Sequence, residues 1–515
     1  MTTIKLKIQD LKTSPLLIRD YLKGKDNLSF LFESEMSEAG LLQSLESKME
    51  NYSHRELLSK VIDFNYPNKN SIELKELENI EALRSDGYAV VTAHQPNLFL
   101  GPFYTITKAI SAISIAKRLN NIQTNKRIVP VFVIGSEDHD KEEILETNLF
   151  GKNYRWNTIQ KGSVGSMIVD EDLVGVLNEF TATFGDSENA RRLKNIFFDA
   201  YQIGYTITFA TASILRSLFA KHGLIVLDIN IPEVKHEMKS IFLKDLQDNE
   251  ARNVTESTIT YLLNNYHVQA SPLDINTFVY ESGERIKIKK ASKEVLELLD
   301  ADPACFSPSV ILRPLMQQLV LPSIAYVGGA AEVCYWLELK ELFKANKIHF
   351  PTVVLRDIYS VVDEKSWKRW QASGLEAIDF IMSEEEIKKK IVGITYDLEY
   401  LKSSSIQSLQ QVFESLENVI MGLDASLVGT VKKEESNSVK SMQTIFSKLT
   451  KSMKLKEEAN ILSLLKIKSK IYNEKGLLER QENFSSFYIK YGDLWLSEMI
   501  EKLDPLQGEW TINIR

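Results

Sequence analysis

The chain has 515 residues, too many for one core, with hydrophobic (44%) and charged (26%) fractions ordinary for a soluble protein of two or three domains. Its net charge of -8 leaves no basic excess to neutralise phosphates, which argues against a nucleic-acid partner. The lysine run Lys388-Lys389-Lys390 is flanked by glutamates and reads as a solvated helix face. No apolar run approaches the ~20 residues of a membrane span and no signal-peptide pattern opens the chain, so a cytoplasmic protein is expected. Cys305 and Cys334 lack the short spacing of a zinc or redox motif and are expected as buried free thiols, with a catalytic thiol as the second reading.

Residues 1–85 read as mainly helical, with amphipathic stretches at Leu41–Leu58 and Ile72–Leu83. The apolar segment 88–93 predicts a buried parallel strand. A helix over Phe103–Leu119 follows, carrying Ile106, Ala109, Ile110, Ile113 and Ala116 at helical spacing, with Pro102 in its first turn. Strand 128–134 then completes a βαβ unit. A helix at Thr211–Lys221 and a strand at Leu224–Asp228 come next, with less regular insertions at 150–200 and 255–300. The second insertion holds strands Thr277–Tyr280 and Arg285–Ile288. Core character returns from Ser309, with a strand ending at Gly328-Gly329, a helix over Glu332–Lys344 and a strand Thr352–Leu355.

Composition shifts near residue 380. Ile387, Ile391, Ile394, Leu398 and Leu401 keep a heptad rhythm, continued by Leu409, Val412, Leu416, Val419 and Leu423. A polar break at Lys432–Ser438 and a second helix carrying Met442, Ile445, Leu449 and Met453 predict an antiparallel hairpin. The expected division is therefore a core over 1–380, a coiled coil over 381–476, and a segment 477–515 that returns to the core through a helix at Phe484–Tyr491 and a strand at Trp510–Ile514.

Two polar clusters stand at the ends of the first two strands, where open α/β sheets bind ligands. In the first, His94-Gln95-Pro96-Asn97, the imidazole suits a nucleotide phosphate or charge developing on phosphorus, or else simply caps the loop. Gly101 permits close approach of a ligand or a tight turn. In the second, Glu137-Asp138-His139-Asp140, like charges held close should drive pKa values apart, as acid–base work requires. These oxygens would also suit Mg2+ carried by nucleotide phosphates, while a closed zinc site lacks a second ligand cluster. Adjacent residues of an extended segment face opposite ways, which favours Asp138 and His139 for chemistry and leaves Asp140 for ligand binding or a helix N-cap. Arg313, held extended by Pro314, suits a carboxylate or phosphate, or a structural ion pair. Gly328-Gly329 with Glu332 forms an anion nest beside a carboxylate for an amine or hydroxyl, or a plain strand-to-helix turn. Arg356 is a weaker candidate, and the other histidines stand alone. The chain has no Gly-x-Gly-x-x-Gly after a strand and no phosphate loop ending in Gly-Lys-Ser/Thr.

Four segments carry a family resemblance: Thr92-Ala-His-Gln-Pro-Asn-Leu-Phe-Leu-Gly-Pro102, Val129-Pro-Val-Phe-Val-Ile-Gly-Ser-Glu-Asp-His-Asp140, Ser307-Pro-Ser-Val-Ile-Leu-Arg-Pro314 and Ala325-Tyr-Val-Gly-Gly-Ala-Ala-Glu-Val-Cys-Tyr-Trp336. In order and spacing the chain resembles the cysteine-adding enzymes of bacillithiol biosynthesis, the cysteine ligase family. The resemblance implies an α/β fold: a Rossmann-like parallel-sheet core akin to class I synthetase-type nucleotidyltransferases, with inserted connecting segments and an α-helical antiparallel coiled coil. It implies a ligase joining L-cysteine, through its carboxyl, to the amine of glucosaminyl-malate, with His94 at the position that contacts ATP phosphates. Two departures stand out: Gly328-Gly-Ala-Ala-Glu332 where the family has Gly-Gly-Pro-Gly-Glu, which weakens the nest reading, and Leu477-Leu-Glu-Arg480 where Leu-Gln-Glu-Arg is commoner.

Joining a carboxylate to an amine in water is uphill, so the carboxylate must be activated, with ATP as the expected activator. Phosphate contact then falls to His94, and acid–base work to Asp138 and His139. Gln95, Asn97, Gly101, Glu137, Asp140, Gly328 and Gly329 complete the expected binding set, with Arg313 and Glu332 holding substrate carboxylate and amine. The competing readings are a metal-dependent hydrolase built on Glu137–Asp140 and a scaffold whose coiled coil carries the function. That hairpin is also a candidate homodimer surface.

Overall fold

A computed structural model describes residues 2–68, 72–122 and 125–515. The chain divides into two compact units, one of Lys5–Tyr359 with Glu479–Thr511, the other of Met1–Ile4, Ser360–Leu478 and Ile512–Arg515.

The larger unit is built on a five-stranded sheet: β1 (Tyr88–His94), β2 (Ile128–Ile134), β3 (Ile225–Leu227), β4 (Ser323–Gly328) and β5 (Thr352–Leu355). Its order is 3-2-1-4-5, with every neighbouring pair parallel. This is the doubly wound Rossmann order, and it places the topological switch between β1 and β4. All seven residues of β2 are buried, as expected of a strand covered on both faces. Pro130 is tolerated inside it because β3 pairs only with Val131 to Val133. Helix Tyr104–Asn121 joins β1 to β2, and its Ala112, Ile115, Ala116 and Leu119 pack with Val90, Ile128, Ile324 and Val354 in one core.

Several boundaries differ from expectation. The N-terminal region opens with strand Thr2–Lys7 rather than a helix. The stretch 150–200 contains two capped helices, Glu171–Ala182 and Glu188–Ala200. The helix expected over Glu332–Lys344 is two, Ala330–Glu338 and Lys340–Ala345, separated at Leu339. The C-terminal strand, Glu509–Ile514, lies between Thr2–Lys7 and Ile358–Val362 in a three-stranded sheet.

In the smaller unit, helices Leu398–Leu423 and Val428–Lys456 form the long hairpin. Lys432 Nζ lies 3.1 Å from Glu417 Oε1 across it. The turn is at Asp424–Leu427, where the Asp424 side chain accepts from Ser426 N, and the polar run Lys432–Ser438 lies within the second helix. A solvated helix face and a loop share the same polar composition, so the run does not by itself mark a break. The seam also differs: Ile406, Leu409, Phe413 and Ile420 are half-buried, whereas Val412, Leu416, Val419 and Leu423 face solvent. Two apolar stripes run along one helix, and only packing distinguishes them.

Candidate active site

A cavity of about 360 Å³ opens at the carboxyl ends of the strands, within the larger unit. Every strand contributes to its wall: Ala93 and His94 from β1, Val133 and Ile134 from β2, Asp228 just past β3, Tyr326 from β4, and Arg356 just past β5. The volume is of the size that holds a small-molecule ligand.

Of the expected residues, His94, Gln95, Glu137, Asp138, Arg313, Gly329 and Glu332 line the cavity together. His94 ends β1 and stands edge-on to Tyr104, ring centroids 5.1 Å apart. Burial, reinforced by the charges of Lys108 and Arg356, holds its pKa well below the usual imidazole range, so the ring is neutral. Asp138 is half-buried, and the partial loss of solvent disfavours its charge. The Arg313 guanidinium 3.7 Å away and the 2.9 Å hydrogen bond from Gln95 Nε2 outweigh that and hold its pKa below the usual carboxylate range. Asp138 is therefore a fixed anion that orients Arg313. Glu137 is engaged by Lys235 Nζ at 2.5 Å and the Tyr280 hydroxyl at 3.2 Å.

Glu332 is equally committed. Its Oε1 accepts from the Tyr326 hydroxyl at 2.7 Å, while Oε2 accepts from Gly329 N at 2.8 Å and pairs with Lys108 Nζ at 2.5 Å. The Ala330-Ala331 turn thus forms an ordinary helix N-cap closed by Glu332. Gly328 lies beneath it, where an added Cβ would stand 2.9 Å from that of Glu332.

The remaining expected residues lie outside the cavity wall. His139 bonds Glu137 O through Nδ1 at 2.6 Å and faces the Tyr280 ring, and Asp140 caps helix Lys141–Ile144. Asn97 is buried below the loop, and Gly101 packs on it: a Cβ there would meet that of Asn97 at 2.7 Å. Phe99, Leu100 and Gly101 all have positive φ, and Asn483 Nδ2 pins the loop by donating to Phe99 O and Gly101 O at 3.0 Å. These residues shape the wall behind His94.

Sequence reasoning missed Lys108, Asp228, Gln317, Trp336, Glu479 and Arg480. Lys108 carried a signal, being a lone cation in the apolar run of its helix. It is 1% exposed and donates to Ala93 O at 2.7 Å, and burial lowers its pKa even against the pull of Glu332. Glu479 lay in the segment Leu477-Leu-Glu-Arg480, which gave no hint of its partners: it accepts from Arg356 Nη2 at 2.7 Å and from Tyr359 N at 3.1 Å, both remote in sequence.

Four residues on the cavity wall have a buried side-chain nitrogen without a hydrogen-bond partner: His94 Nε2, Gln317 Nε2, Trp336 Nε1 and Arg356 Nε. Buried polar groups are normally satisfied, so this concentration makes the cavity the candidate ligand site. Three of the four are obligate donors, which suits an acceptor-rich anion such as a carboxylate or phosphate. Glu137, Asp138 and Asp140 each have a carboxylate oxygen engaged by protein groups, and among the described residues no group of three or more His, Cys, Asp or Glu is arranged to hold a metal ion.

No helix among the described residues is long and apolar enough to cross a membrane; both cysteines are free, Cys334 buried as expected and Cys305 only half-buried. The model of the bacillithiol biosynthesis BshC N-terminal Rossmann-like domain matches residues 1–357, and that of the BshC C-terminal coiled-coil domain matches residues 359–514. The chain is 30% identical over 519 residues to the "Putative cysteine ligase BshC" of Flavobacterium psychrophilum. It is 31% identical over 523 residues to the protein of the same name from Flavobacterium johnsoniae, and each alignment covers 96% of both chains. Similarity persists at 24% identity over 531 residues to that of Lysinibacillus sphaericus, covering 94% of this chain and 95% of the relative. With both domains matched in order and relatives aligned nearly end to end, the chain belongs to the bacillithiol biosynthesis BshC family.

Proposed function

We propose that this chain is a ligase that joins the carboxyl of L-cysteine to the amine of glucosaminyl-malate, completing bacillithiol, with ATP supplying the activation of the carboxylate. The observation that carries this reading is the set of unpartnered nitrogens of His94, Gln317, Trp336 and Arg356 around one cavity at the Rossmann strand ends. Both substrates and the nucleotide bring carboxylate or phosphate oxygens that such donors would satisfy. Arg313, aimed by Asp138, adds a planar cation for one of those anions. His94, being neutral, would hydrogen-bond a phosphoryl oxygen without titrating at physiological pH.

The test is complementation of a strain lacking its own cysteine-adding gene, with thiols and precursors measured by mass spectrometry. Restored bacillithiol is expected. Accumulated glucosaminyl-malate despite abundant soluble chain would overturn the reading.

We further propose that the coiled coil self-associates. The stripe Val412, Leu416, Val419 and Leu423, at heptad spacing, is 65%, 43%, 59% and 83% exposed, and a second copy would cover it.

A further inference from the structure

Amide formation leaves the attacking amine with protons to lose, so a ligase needs a base beside the nucleophile. The two groups favoured from the sequence are poorly suited to it. Asp138 is a stabilised carboxylate paired with Arg313, and His139 lies outside the cavity wall with Nδ1 engaged by Glu137 O. Glu137 and Glu332 are bound by buried lysines. Glu143 lines the cavity but is exposed, on a four-residue helix.

Asp228 differs from all of these. Asn65 from the neighbouring helix holds its backbone on both sides, Oδ1 accepting from Asp228 N at 2.8 Å and Nδ2 donating to Asp228 O at 2.9 Å. Its Oδ1 accepts from the Ser136 hydroxyl at 2.7 Å and from Asn230 N at 2.9 Å. Oδ2 takes no hydrogen bond from the described residues. The carboxyl is thus fixed at the end of β3, with one oxygen tied and the other free, in a wall that also presents His94 and Arg313.

We infer that Asp228 is the general base of the ligation, taking the proton from the substrate amine. The inference rests on the ligase reading above. The substrate ammonium gives a proton to Asp228 Oδ2, and the freed nitrogen pair bonds to the activated cysteinyl carbon. The bond from that carbon to the activating group then breaks, its electron pair leaving with that group, and the remaining surplus N–H proton passes to solvent. Burial pushes Asp228 up to about 6, against the hydrogen bonds from Asn230 and Ser136. Glu137 reinforces the rise, Lys235 opposes it, and Asn65 is uncharged. A base poised there is mostly ionised at neutral pH yet basic enough to accept a proton.

The experiment is the pH dependence of bacillithiol formation by the purified full chain supplied with cysteine, glucosaminyl-malate and ATP. The wild-type rate should fall on the acid side of about pH 6. Asp228→Asn keeps the Oδ1 acceptor and should lower kcat by about 10²- to 10⁴-fold with little change in KM, abolishing that limb, while Asp228→Glu should recover part of the rate. Ser136→Ala removes a hydrogen bond that favours the carboxylate and should shift the limb to higher pH, a readout that stands even where Asp228→Asn folds poorly. A merely structural Asp228 would leave the limb in place in both variants, and that result overturns the inference. So does a limb that survives in Asp228→Asn and vanishes in Glu143→Gln. A wild-type chain that forms no bacillithiol overturns the ligase reading itself, and the inference with it.

Discussion

Asp357, just past β5, and His94, at the end of β1, are both shifted by burial. Asp357 is 1% exposed, accepts from Ser111 Oγ at 3.2 Å through Oδ2, and leaves Oδ1 without a partner. Burial pushes its carboxyl up to about 8, partly opposed by the Ser111 hydrogen bond. The folded state therefore keeps a proton that the unfolded chain releases near its ordinary value of 3.8. Its contribution to stability is fully present below that value and is lost as pH rises toward about 8. Asp357→Asn should flatten the fall of Tm between pH 5 and 8, as followed by calorimetry; identical slopes in the two proteins would assign the pH dependence elsewhere. For His94 the shift runs the other way, toward the neutral ring. His94→Gln should cut turnover about 10²- to 10³-fold, the range for losing one preorganised donor, without moving the pH profile between 6 and 8. A profile that moved would mean the imidazole is charged in the working enzyme.

At the scale of elements, the long hairpin shows where periodicity stops being informative. A heptad rhythm identifies a helix with an apolar stripe, but Leu398–Leu423 carries two such stripes; of the residues read from sequence, Leu398 and Leu409 lie inward while Val412, Leu416, Val419 and Leu423 face outward. Glutamate at Leu416 and Leu423 should leave helicity unchanged and lower the solution mass from dimer to monomer by light scattering. An unchanged mass in a self-associating wild type would place the contact elsewhere. The loop between β1 and its following helix carries the complementary lesson. Its motif was legible, yet Asn97 and Gly101 serve the backbone geometry of the turn, with only His94 and Gln95 reaching the cavity.

At the scale of the larger unit, the site depends on closure between segments far apart in the chain. Arg356 Nη2 meets Glu479 Oε1 at 2.7 Å, and the two side chains are 7% and 1% exposed. Removing the acid leaves a buried guanidinium uncompensated, so Glu479→Ala should cost about 3–5 kcal/mol in urea unfolding and weaken ligand binding at the cavity. A loss well below about 1 kcal/mol would show that Thr107 and the Asp357 carbonyl suffice to hold Arg356.

What the sequence determined by itself was the α/β class, the first βαβ unit, the helical hairpin, and the two strand-end clusters from which His94, Gln95, Glu137 and Asp138 reach the cavity. All of these rest on neighbours two to four residues apart, through strand alternation, helix periodicity and turn chemistry. Only the tertiary structure decided which polar groups share a wall and which are already satisfied. Lys108 with Glu332, Asp228 with Ser136 and Arg356 with Glu479 are brought together by the 3-2-1-4-5 strand order and the returning C-terminal segment. The free energy of a buried charge depends on what the fold places beside it, and no local pattern encodes that neighbour.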